Sequence, residues 1–149
     1  MRLLAYRIAL RRYADRAFLG EGARKVGGRW NPRGIPAVYA SATLSLAALE
    51  FLAHLNSVDD APELVSFRLE FDSKLVSEVK LPEAWRKLGL SASRSLGRNW
   101  FSESTSPILK VPSFVIPSES NFVLNPAHRA FSKISIGPAE PFQLDPRLY

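Results

Sequence analysis

Residues 20–34 form a glycine-rich segment near the start of the chain, with five glycines and one proline. Glycine and proline disfavour the interior of helices and strands, so this composition predicts a loop with no regular element. The middle of the segment reads GGRWNP, residues 27–32. Paired glycines let a backbone approach a ligand closely, and Arg29, fixed beside them, can offer forked donors to a phosphate or ribose oxygen. The alternative is a tight turn with a solvent-facing arginine, and the spacing fits neither the G-x-G-x-x-G nucleotide motif nor a P-loop.

Strand patterns lie on both sides of this segment. Apolar residues alternate imperfectly over residues 3–10, which predicts a first strand, although residues 11–18 also fit the continuation of a helix. Residues 35–41 predict a short strand that places Tyr39 and Ser41 on one face. Residues 64–71 alternate most regularly, and they predict an amphipathic strand with its apolar side chains on one face.

One helix is well defined by the sequence, and it carries a single acidic residue. Thr43 is suited to cap its start, and apolar residues at helical spacing up to Leu55 predict a helix that runs to residue 56. Glu50 lies among them and is the only acidic residue between Glu21 and Asp59. A carboxylate is costly to bury unless it is paired or functional, which makes Glu50 a candidate catalytic group. The alternative is that Glu50 faces outward beside His54, at position i+4, with His54 a structural histidine.

The C-terminal half contains shorter patterns separated by prolines and serines. The most apolar of them predicts a strand over residues 111–117, and Pro112 places its start at an edge or a bulge. Strands at both ends of the chain with helices between them indicate an α+β fold. The remaining predictions are a short helix at 83–87, a Ser/Gly/Arg-rich segment ending at Trp100, a helix opening within 102–109, and strands at 121–126 and 133–136.

Two further side chains have both a structural and a functional interpretation. Tyr39 lies on the strand that follows the glycine-rich segment, where it fills the core or faces a ligand. Ser113 leads into the predicted strand at 111–117, where its hydroxyl projects into a cleft or only shapes the strand. A serine nucleophile needs a histidine base and an acid, but no G-x-S-x-G motif is present and neither His54 nor His128 has a diagnostic context. Serine hydrolase chemistry is therefore disfavoured.

Chain length and the absence of cysteine exclude several classes of protein. A chain of 149 residues suits one domain, 1–149, that encloses a core. Without cysteine there is no disulfide framework, thiolate zinc site, iron–sulfur cluster or cysteine nucleophile, and with two histidines we expect no metal. No apolar run reaches the roughly 18 residues of a membrane span. Arginines also interrupt the start of the chain, where a signal peptide has its apolar core. We therefore expect a cytoplasmic protein with no membrane partner.

Positive charge is concentrated in the N-terminal fifth of the chain. Residues 1–33 hold nine Lys and Arg against two acidic residues, a net +7, whereas residues 34–149 hold eleven against twelve, a net −1. This asymmetry indicates an anionic partner, either nucleic acid, a phosphorylated small molecule or an acidic protein, with a solvated basic face as the structural explanation. The alternative to an enzyme is a nucleic-acid-binding module that stacks bases on Tyr6, Tyr13 and Trp30, although no DNA- or RNA-binding motif is recognisable.

The order of these motifs along the chain resembles the RES-domain family. Tyr6-Arg7, GGRWNP, AVYAS, LAALEFLAH, VPS, NFVLNPAH and PFQLDPRLY follow one another over essentially the whole chain. RES proteins are toxins of bacterial two-gene toxin–antitoxin modules. Their fold resembles that of diphtheria-toxin-type ADP-ribosyltransferases, with a split antiparallel β core and flanking helices. The resemblance implies that NAD⁺ is a substrate and not a bound cofactor, consumed by hydrolysis, phosphorolysis or transfer of ADP-ribose to a protein.

The same resemblance implies roles for seven residues and for a partner. One carboxylate suffices for this chemistry because nicotinamide leaves NAD⁺ as a neutral base that needs no proton. Glu50 is then expected to stabilise the oxocarbenium-like ribose, Tyr39 to stack on nicotinamide, and Arg29 to hold ribose or pyrophosphate oxygens. The implied partner is a helix-turn-helix antitoxin, with nucleic acid contacted only through it. The implied catalytic residues are Arg29, Tyr39, Glu50 and Ser113, and the implied substrate-binding residues are Arg7, Gly28 and Ser41.

Overall fold

A single mixed sheet runs through the part of the chain that the computed structural model describes, residues 1–55 and 62–148. Within these described residues, three α-helices and four short 3-10 turns lie between its strands, and a fifth 3-10 turn follows the last strand. The strands are β1 (Arg2–Leu10), β2 (Val38–Ser41), β3 (Leu64–Asp72), β4 (Val76–Glu78), β5 (Ile108–Pro112), β6 (Ser120–Leu124), β7 (Ser135–Ile136) and β8 (Glu140–Phe142). The helices are α1 (Glu21–Val26), α2 (Leu44–Ala53) and α3 (Leu90–Glu103). The predicted α+β class is confirmed.

The strand order is β4-β5-β6-β2-β1-β3-β7, and β8 also pairs with β3. All pairs are antiparallel except β4 and β5, which run parallel. The sheet is therefore mixed, whereas an antiparallel core was expected. β1 and β3 pair along their whole length, but β1 and β2 share only the register pair Tyr6 and Ser41. The sheet therefore opens between β1 and β2, and this opening positions the site described below.

Helices and loops cover the sheet on both faces. On one face of β5 and β6, the helix α3 brings Trp100 against Trp30 of the glycine-rich segment. Beside the opening, α2 packs Ala47 against Ile8 of β1 and Leu64 of β3. None of the helices within the described residues is both long and apolar enough to cross a lipid bilayer. The opposite face carries the largest apolar cluster, which includes Phe67, Phe71, Ile108, Phe122 and Leu124.

The glycine-rich segment contains a helix, contrary to the expectation of a loop without a regular element. Helix α1 occupies Glu21–Val26, between Gly20 with φ 74° and Gly27 with φ 77°. A positive φ is readily adopted only by glycine, so these two residues let the chain turn into the helix and out of it. The glycines bound the helix and do not prevent it. Upstream, β1 is a strand as predicted and is followed by a 3-10 turn at Arg11–Arg16, not by an α-helix.

The helix that carries Glu50 begins where the sequence predicts. The hydroxyl of Thr43 accepts a hydrogen bond from the backbone N–H of Leu46 at 3.1 Å, which is the expected N-cap. The helix ends earlier than predicted, at Ala53, and the predicted end at residue 56 lies outside the described residues. The strand over 64–71 is confirmed as β3, and the strand predicted over 35–41 is shorter, because β2 starts only at Val38.

The largest errors of the sequence-based prediction concern residues 90–117. The Ser/Gly/Arg-rich segment is the 14-residue helix α3. The helix expected within 102–109 does not form, since α3 ends at Glu103 and β5 begins at Ile108. The strand expected over 111–117 is also wrong, because β5 ends at Pro112. The hydroxyl of Ser113 accepts hydrogen bonds from the backbone N–H groups of Val115 and Ile116, and these bonds form a turn.

The other C-terminal predictions are close to the structure. The helix expected at 83–87 is a 3-10 turn at Trp85–Lys87. The strand expected at 121–126 is β6, Ser120–Leu124. Of the strand expected at 133–136, only Ser135–Ile136 pairs, as β7 against β3.

Candidate active site

A cleft of about 490 Å³ lies where the sheet opens between β1 and β2. This volume falls in the range of roughly 300–1,000 Å³ that is usual for small-molecule sites. Residues of β1, β2, β6, the glycine-rich segment, α2 and the turn after β5 line it. Six of the seven residues implied by the RES-domain resemblance line the cleft, namely Arg7, Gly28, Arg29, Tyr39, Ser41 and Glu50.

The seventh residue, Ser113, lies directly behind Glu50. Ser113 is fully buried, and its hydroxyl donates a hydrogen bond to Oε1 of Glu50 at 2.8 Å. The same oxygen accepts from the backbone N–H groups of Val115 at 3.0 Å and Ile116 at 2.9 Å. With two N–H donors occupying its lone pairs, the hydroxyl proton is directed at the carboxylate. Ser113 therefore orients Glu50, and it is not itself part of the cleft wall.

Arg7 crosses the opening between the two central strands. Its Nη1 donates to the backbone carbonyl of Tyr39 at 2.8 Å, and its Nε donates to the carbonyl of Ala17 at 2.9 Å. Burial lowers the pKa of Arg7 to about 10, because an enclosed cation loses its hydration. Both partners are neutral carbonyls, and Arg7 forms no ion pair with a carboxylate in residues 1–55 and 62–148. An anion in the cleft therefore meets an uncompensated positive charge.

Arg29 presents a second positive charge to the cleft. Its guanidinium carbon lies 4.1 Å from the centre of the Phe114 ring, a cation–π contact that holds the exposed side chain against the cleft wall. The ring of Phe114 in turn packs on Trp30 and Trp85, with ring centres 6.3 and 5.2 Å apart. This arrangement leaves the forked donors of Arg29 available to an oxyanion.

Tyr39 connects the cleft to the glycine-rich segment. Its hydroxyl donates to Oδ1 of Asn31 at 2.6 Å and accepts from the backbone N–H of Trp30 at 3.0 Å. Burial raises the pKa of Tyr39 to about 12, so the phenol stays protonated at neutral pH. The hydroxyl is thus engaged within the protein, and the ring is the part of Tyr39 that remains for a ligand. A Cβ on Gly28 would lie 2.6 Å from this hydroxyl, which is why glycine is needed there.

Asn31 is a structural residue of the site that the sequence did not single out. It is fully buried, and its Nδ2 donates to the carbonyls of Ala23 at 2.9 Å and Ile35 at 3.0 Å, with a further contact to Pro32. Because its Oδ1 also accepts from Tyr39, Asn31 ties both ends of the segment to β2. The only sequence signal was its place in GGRWNP.

Two polar pairs complete the cleft wall. The hydroxyl of Ser41 donates to Oδ1 of Asn121 at 2.7 Å, so this implied substrate-binding residue is already hydrogen-bonded to a second cleft residue that the sequence did not identify. Nδ1 of His54 lies 2.7 Å from the backbone carbonyl of Glu50, one helical turn earlier. Since a carbonyl only accepts, Nδ1 carries the proton, and His54 closes the end of α2 as the structural interpretation expected.

The basic N-terminal region is not one continuous charged surface. Arg7 and Arg29 enter the cleft, whereas Arg11 pairs with Glu63 at 3.1 Å and Arg24 pairs with Glu21 at 2.8 Å on the surface. The alternative of a base-stacking surface also needs an accessible Trp30, and that side chain is only 2% exposed. The prediction that Trp30 stacks on bases is therefore wrong. No cluster of three or more His, Asp or Glu suited to a metal occurs in the described part of the chain.

Comparison with known proteins identifies the family of this chain independently of the geometry of the cleft. A family model described as the RES domain matches residues 4–145. A protein named Toxin Res from Yersinia enterocolitica is 36% identical, with 98% of this chain and 99% of that protein covered. A protein named Prs ADP-ribosylating toxin from a Sphingobium species is 32% identical, with 87% of this chain and 84% of that protein covered.

A solved structure also has the same fold. The crystal structure of the M. tuberculosis MbcT–MbcA toxin–antitoxin complex contains a chain that superposes with a TM-score of 0.73. The match covers 96% of this chain and 85% of that chain, at 16% sequence identity.

Proposed function

The chain belongs to the RES-domain family, and from this premise we propose that it is the toxin of a toxin–antitoxin module and consumes NAD⁺ by breaking the bond between nicotinamide and ribose. The observation that carries the proposal is the pair formed by Glu50 and Ser113. It supplies one carboxylate, held in a fixed orientation, in a cleft that also contains two arginines.

The chemistry of the proposed reaction suits a single carboxylate. As the bond between ribose C1′ and the pyridinium nitrogen breaks, the electron pair moves to nitrogen, and nicotinamide leaves as a neutral molecule. Positive charge develops on the ribose, and Glu50 stabilises it electrostatically. An oxygen nucleophile then forms a bond to C1′. With water as the nucleophile, the products are nicotinamide, ADP-ribose and one proton, and no second carboxylate is needed to protonate the leaving group.

The cleft also matches the charge of the rest of the substrate. NAD⁺ carries a pyrophosphate, and Arg7 and Arg29 are the cations that line the cleft. Arginine suits this task because its planar fork binds phosphate oxygens through paired hydrogen bonds. The Tyr39 ring, whose hydroxyl is engaged by Asn31, is the surface on which nicotinamide stacks.

The fold type and the partner are parts of the same proposal. The proposed fold type is that of diphtheria-toxin-type ADP-ribosyltransferases, and the opening of the sheet between β1 and β2 supports it, because such a fold has a split core. The partner is an antitoxin of helix-turn-helix type that covers the cleft and presents acidic groups to Arg7 and Arg29. The relatives named as toxins and the solved toxin–antitoxin complex support the presence of an antitoxin partner. Expression of the wild-type gene alone in bacteria should be toxic, and co-expression of the antitoxin should restore growth.

The direct test is to incubate purified protein with NAD⁺ and to measure nicotinamide release. The mass of the second product, determined with and without inorganic phosphate, identifies the nucleophile as water, phosphate or a protein side chain. Absence of nicotinamide release from folded protein under all three conditions would refute the proposal.

The role of Glu50 is tested by Glu50→Gln, which keeps the size of the side chain and removes its charge. If charge stabilises the transition state, nicotinamide release falls by roughly a hundredfold or more, while NAD⁺ affinity changes little. Glu83→Gln is the matched control, because Glu83 is exposed and lies outside the cleft. A Glu50→Gln protein with the wild-type rate would contradict the single-carboxylate mechanism.

A further inference from the structure

Helix α3 contacts the backbone of the glycine-rich segment from the side opposite the cleft. Nε of Arg94 donates to the carbonyl of Gly28 at 2.8 Å, and its Nη2 lies 3.4 Å from the carbonyl of Val26. The hydroxyl of Ser93, which is fully buried, donates to the carbonyl of Arg29. Successive carbonyls of the segment are therefore held by one turn of one helix.

These contacts determine the direction of the N–H groups on the other side of the segment. In a trans peptide the C=O and the following N–H point in opposite directions, and every peptide in the described chain is trans. The carbonyl of Arg29 points at α3, and the following N–H, that of Trp30, accordingly donates to the hydroxyl of Tyr39 in the cleft wall. By the same geometry, the carbonyl of Gly28 points at Arg94, and the N–H of Arg29 is turned towards the cleft.

The N–H of Arg29 has no hydrogen-bond partner among the residues that the structure describes. A free N–H beside an arginine side chain, facing a cleft, is a suitable donor set for an oxyanion. Arg94 itself does not line the cleft, and its guanidinium forms no ion pair in the described ranges. It forms hydrogen bonds to backbone carbonyls instead.

We propose that Arg94, supported by Ser93, is a positioning residue for substrate binding, because it fixes the segment so that the N–H and the side chain of Arg29 face the cleft together. This inference rests on the proposed function for its kinetic test but not for its structural test. Arg94 acts through Arg29, so its effect is on NAD⁺ binding and not on the bond-breaking step at Glu50.

The experiment compares Arg94→Ala and Arg94→Lys with Arg98→Ala. Arg98 is the matched control, since it lies one turn further along α3, is exposed, and does not line the cleft. We expect Arg94→Ala to raise the KM for NAD⁺ about tenfold or more and to change kcat by less than about threefold. Arg94→Lys keeps the charge but not the fork that reaches two carbonyls, so it is expected to remain close to Arg94→Ala. Arg98→Ala should match the wild type.

A double-variant cycle separates positioning from a general loss of stability. If Arg94 acts through Arg29, then Arg94→Ala raises KM by a smaller factor in the Arg29→Ala background than in the wild type, because the side chain being positioned is already absent and only the N–H of residue 29 remains. Independent effects would instead multiply. An unchanged KM in Arg94→Ala, full recovery in Arg94→Lys, or multiplicative effects in the double variant would each overturn the proposal.

Hydrogen exchange of the hydrogen-bonded backbone amides of Gly27, Gly28 and Trp30 provides a readout without substrate. Exchange should be faster in Arg94→Ala than in Arg98→Ala, with the amides of the central sheet unchanged. If the wild type releases no nicotinamide, the proposed function fails, and this measurement alone decides whether Arg94 holds the segment. Equal exchange in the two variants would show that it does not.

Discussion

Replacement of Gly97 by alanine tests the contact between α3 and the glycine-rich segment at its closest point. Gly97 lies in the middle of α3 and is buried. A Cβ at this position would stand 1.6 Å from the carbonyl oxygen of Trp30 and 2.6 Å from its carbonyl carbon. These are backbone atoms of a segment held by hydrogen bonds, so no side-chain rotation can relieve the overlap. The helix or the segment has to move by more than about 1 Å to restore a normal separation.

The sign of the effect is what makes Gly97→Ala informative. In an exposed helix the same change would stabilise the protein by up to about 1 kcal/mol, because alanine is the better helix former. Overpacking of a buried contact costs about 1–3 kcal/mol and occasionally more, and here the overlap is with backbone. We therefore expect a net loss of about 2 kcal/mol in the free energy of unfolding. At roughly 3 °C per kcal/mol for a chain of this size, Tm falls by about 6 °C.

The assay is thermal and urea unfolding of Gly97→Ala beside Gly22→Ala. Gly22 is the control, because it lies in α1, has no positive φ, and would have no atom within 4 Å of an added Cβ. Gly22→Ala should be neutral or slightly stabilising, by about 0.5 kcal/mol. If Gly97→Ala is as stable as the wild type or more stable, the close approach of α3 to Trp30 is wrong, and with it the argument for α3 as the support of the segment.

Two further predictions concern Tyr39 and Ser113. Because the folded state keeps the Tyr39 phenol protonated up to a pKa of about 12, its contribution to stability is complete below about pH 10 and is lost as the pH rises through 12. The stability difference between wild type and Tyr39→Phe, measured by urea unfolding, should therefore shrink by about 2–3 kcal/mol over that range, and a constant difference would contradict the assignment. Ser113→Ala leaves two backbone N–H groups without their acceptor and frees the Glu50 carboxylate, so we expect a loss of about 2–3 kcal/mol in stability. Nicotinamide release should also fall about tenfold, and an unchanged rate would remove Ser113 as the group that orients Glu50.

Those parts of the fold that depend on large apolar side chains could be predicted from the sequence. The strand β3 alternates regularly from Val65 onward, and α2 has an N-cap followed by a helical apolar pattern. Both begin where expected. Helix α3 was missed because its buried positions are Ser93, Gly97 and Trp100. Their i, i+4, i+7 spacing is that of a helix face, but two of the three are small, so no apolar stripe appears. Small residues are required there because the backbone of the segment lies against the helix.

The end of β5 was missed for a different reason. Residues 111–117 are apolar enough for a strand, but the hydroxyl of Ser113 competes for the N–H groups that a strand would use. Whether a serine hydroxyl bonds locally or faces outward depends on its surroundings, and a single sequence does not contain that information. In the same way, the cleft residues were predicted from the order of motifs. Arg94, in contrast, donates hydrogen bonds to backbone carbonyls of the described residues, and such bonds leave no spacing pattern in the sequence.

The position of Arg7 connects the stability of the fold to its proposed function. A sheet with β1 and β2 paired along their length would have no opening, and the Arg7 side chain, hydrogen-bonded to the carbonyl of Tyr39, occupies the place where further strand pairing would occur. Its pKa, lowered by burial to about 10, corresponds to a penalty of about 3 kcal/mol for keeping the charge enclosed. A neutral side chain would avoid that penalty, and a carboxylate partner would offset it, but the described part of the chain provides no such partner. Binding of an anion in the cleft offsets the same penalty. The free energy lost by burying the Arg7 charge in the free protein is therefore recovered when an anion binds, and this raises the affinity of the cleft for a pyrophosphate.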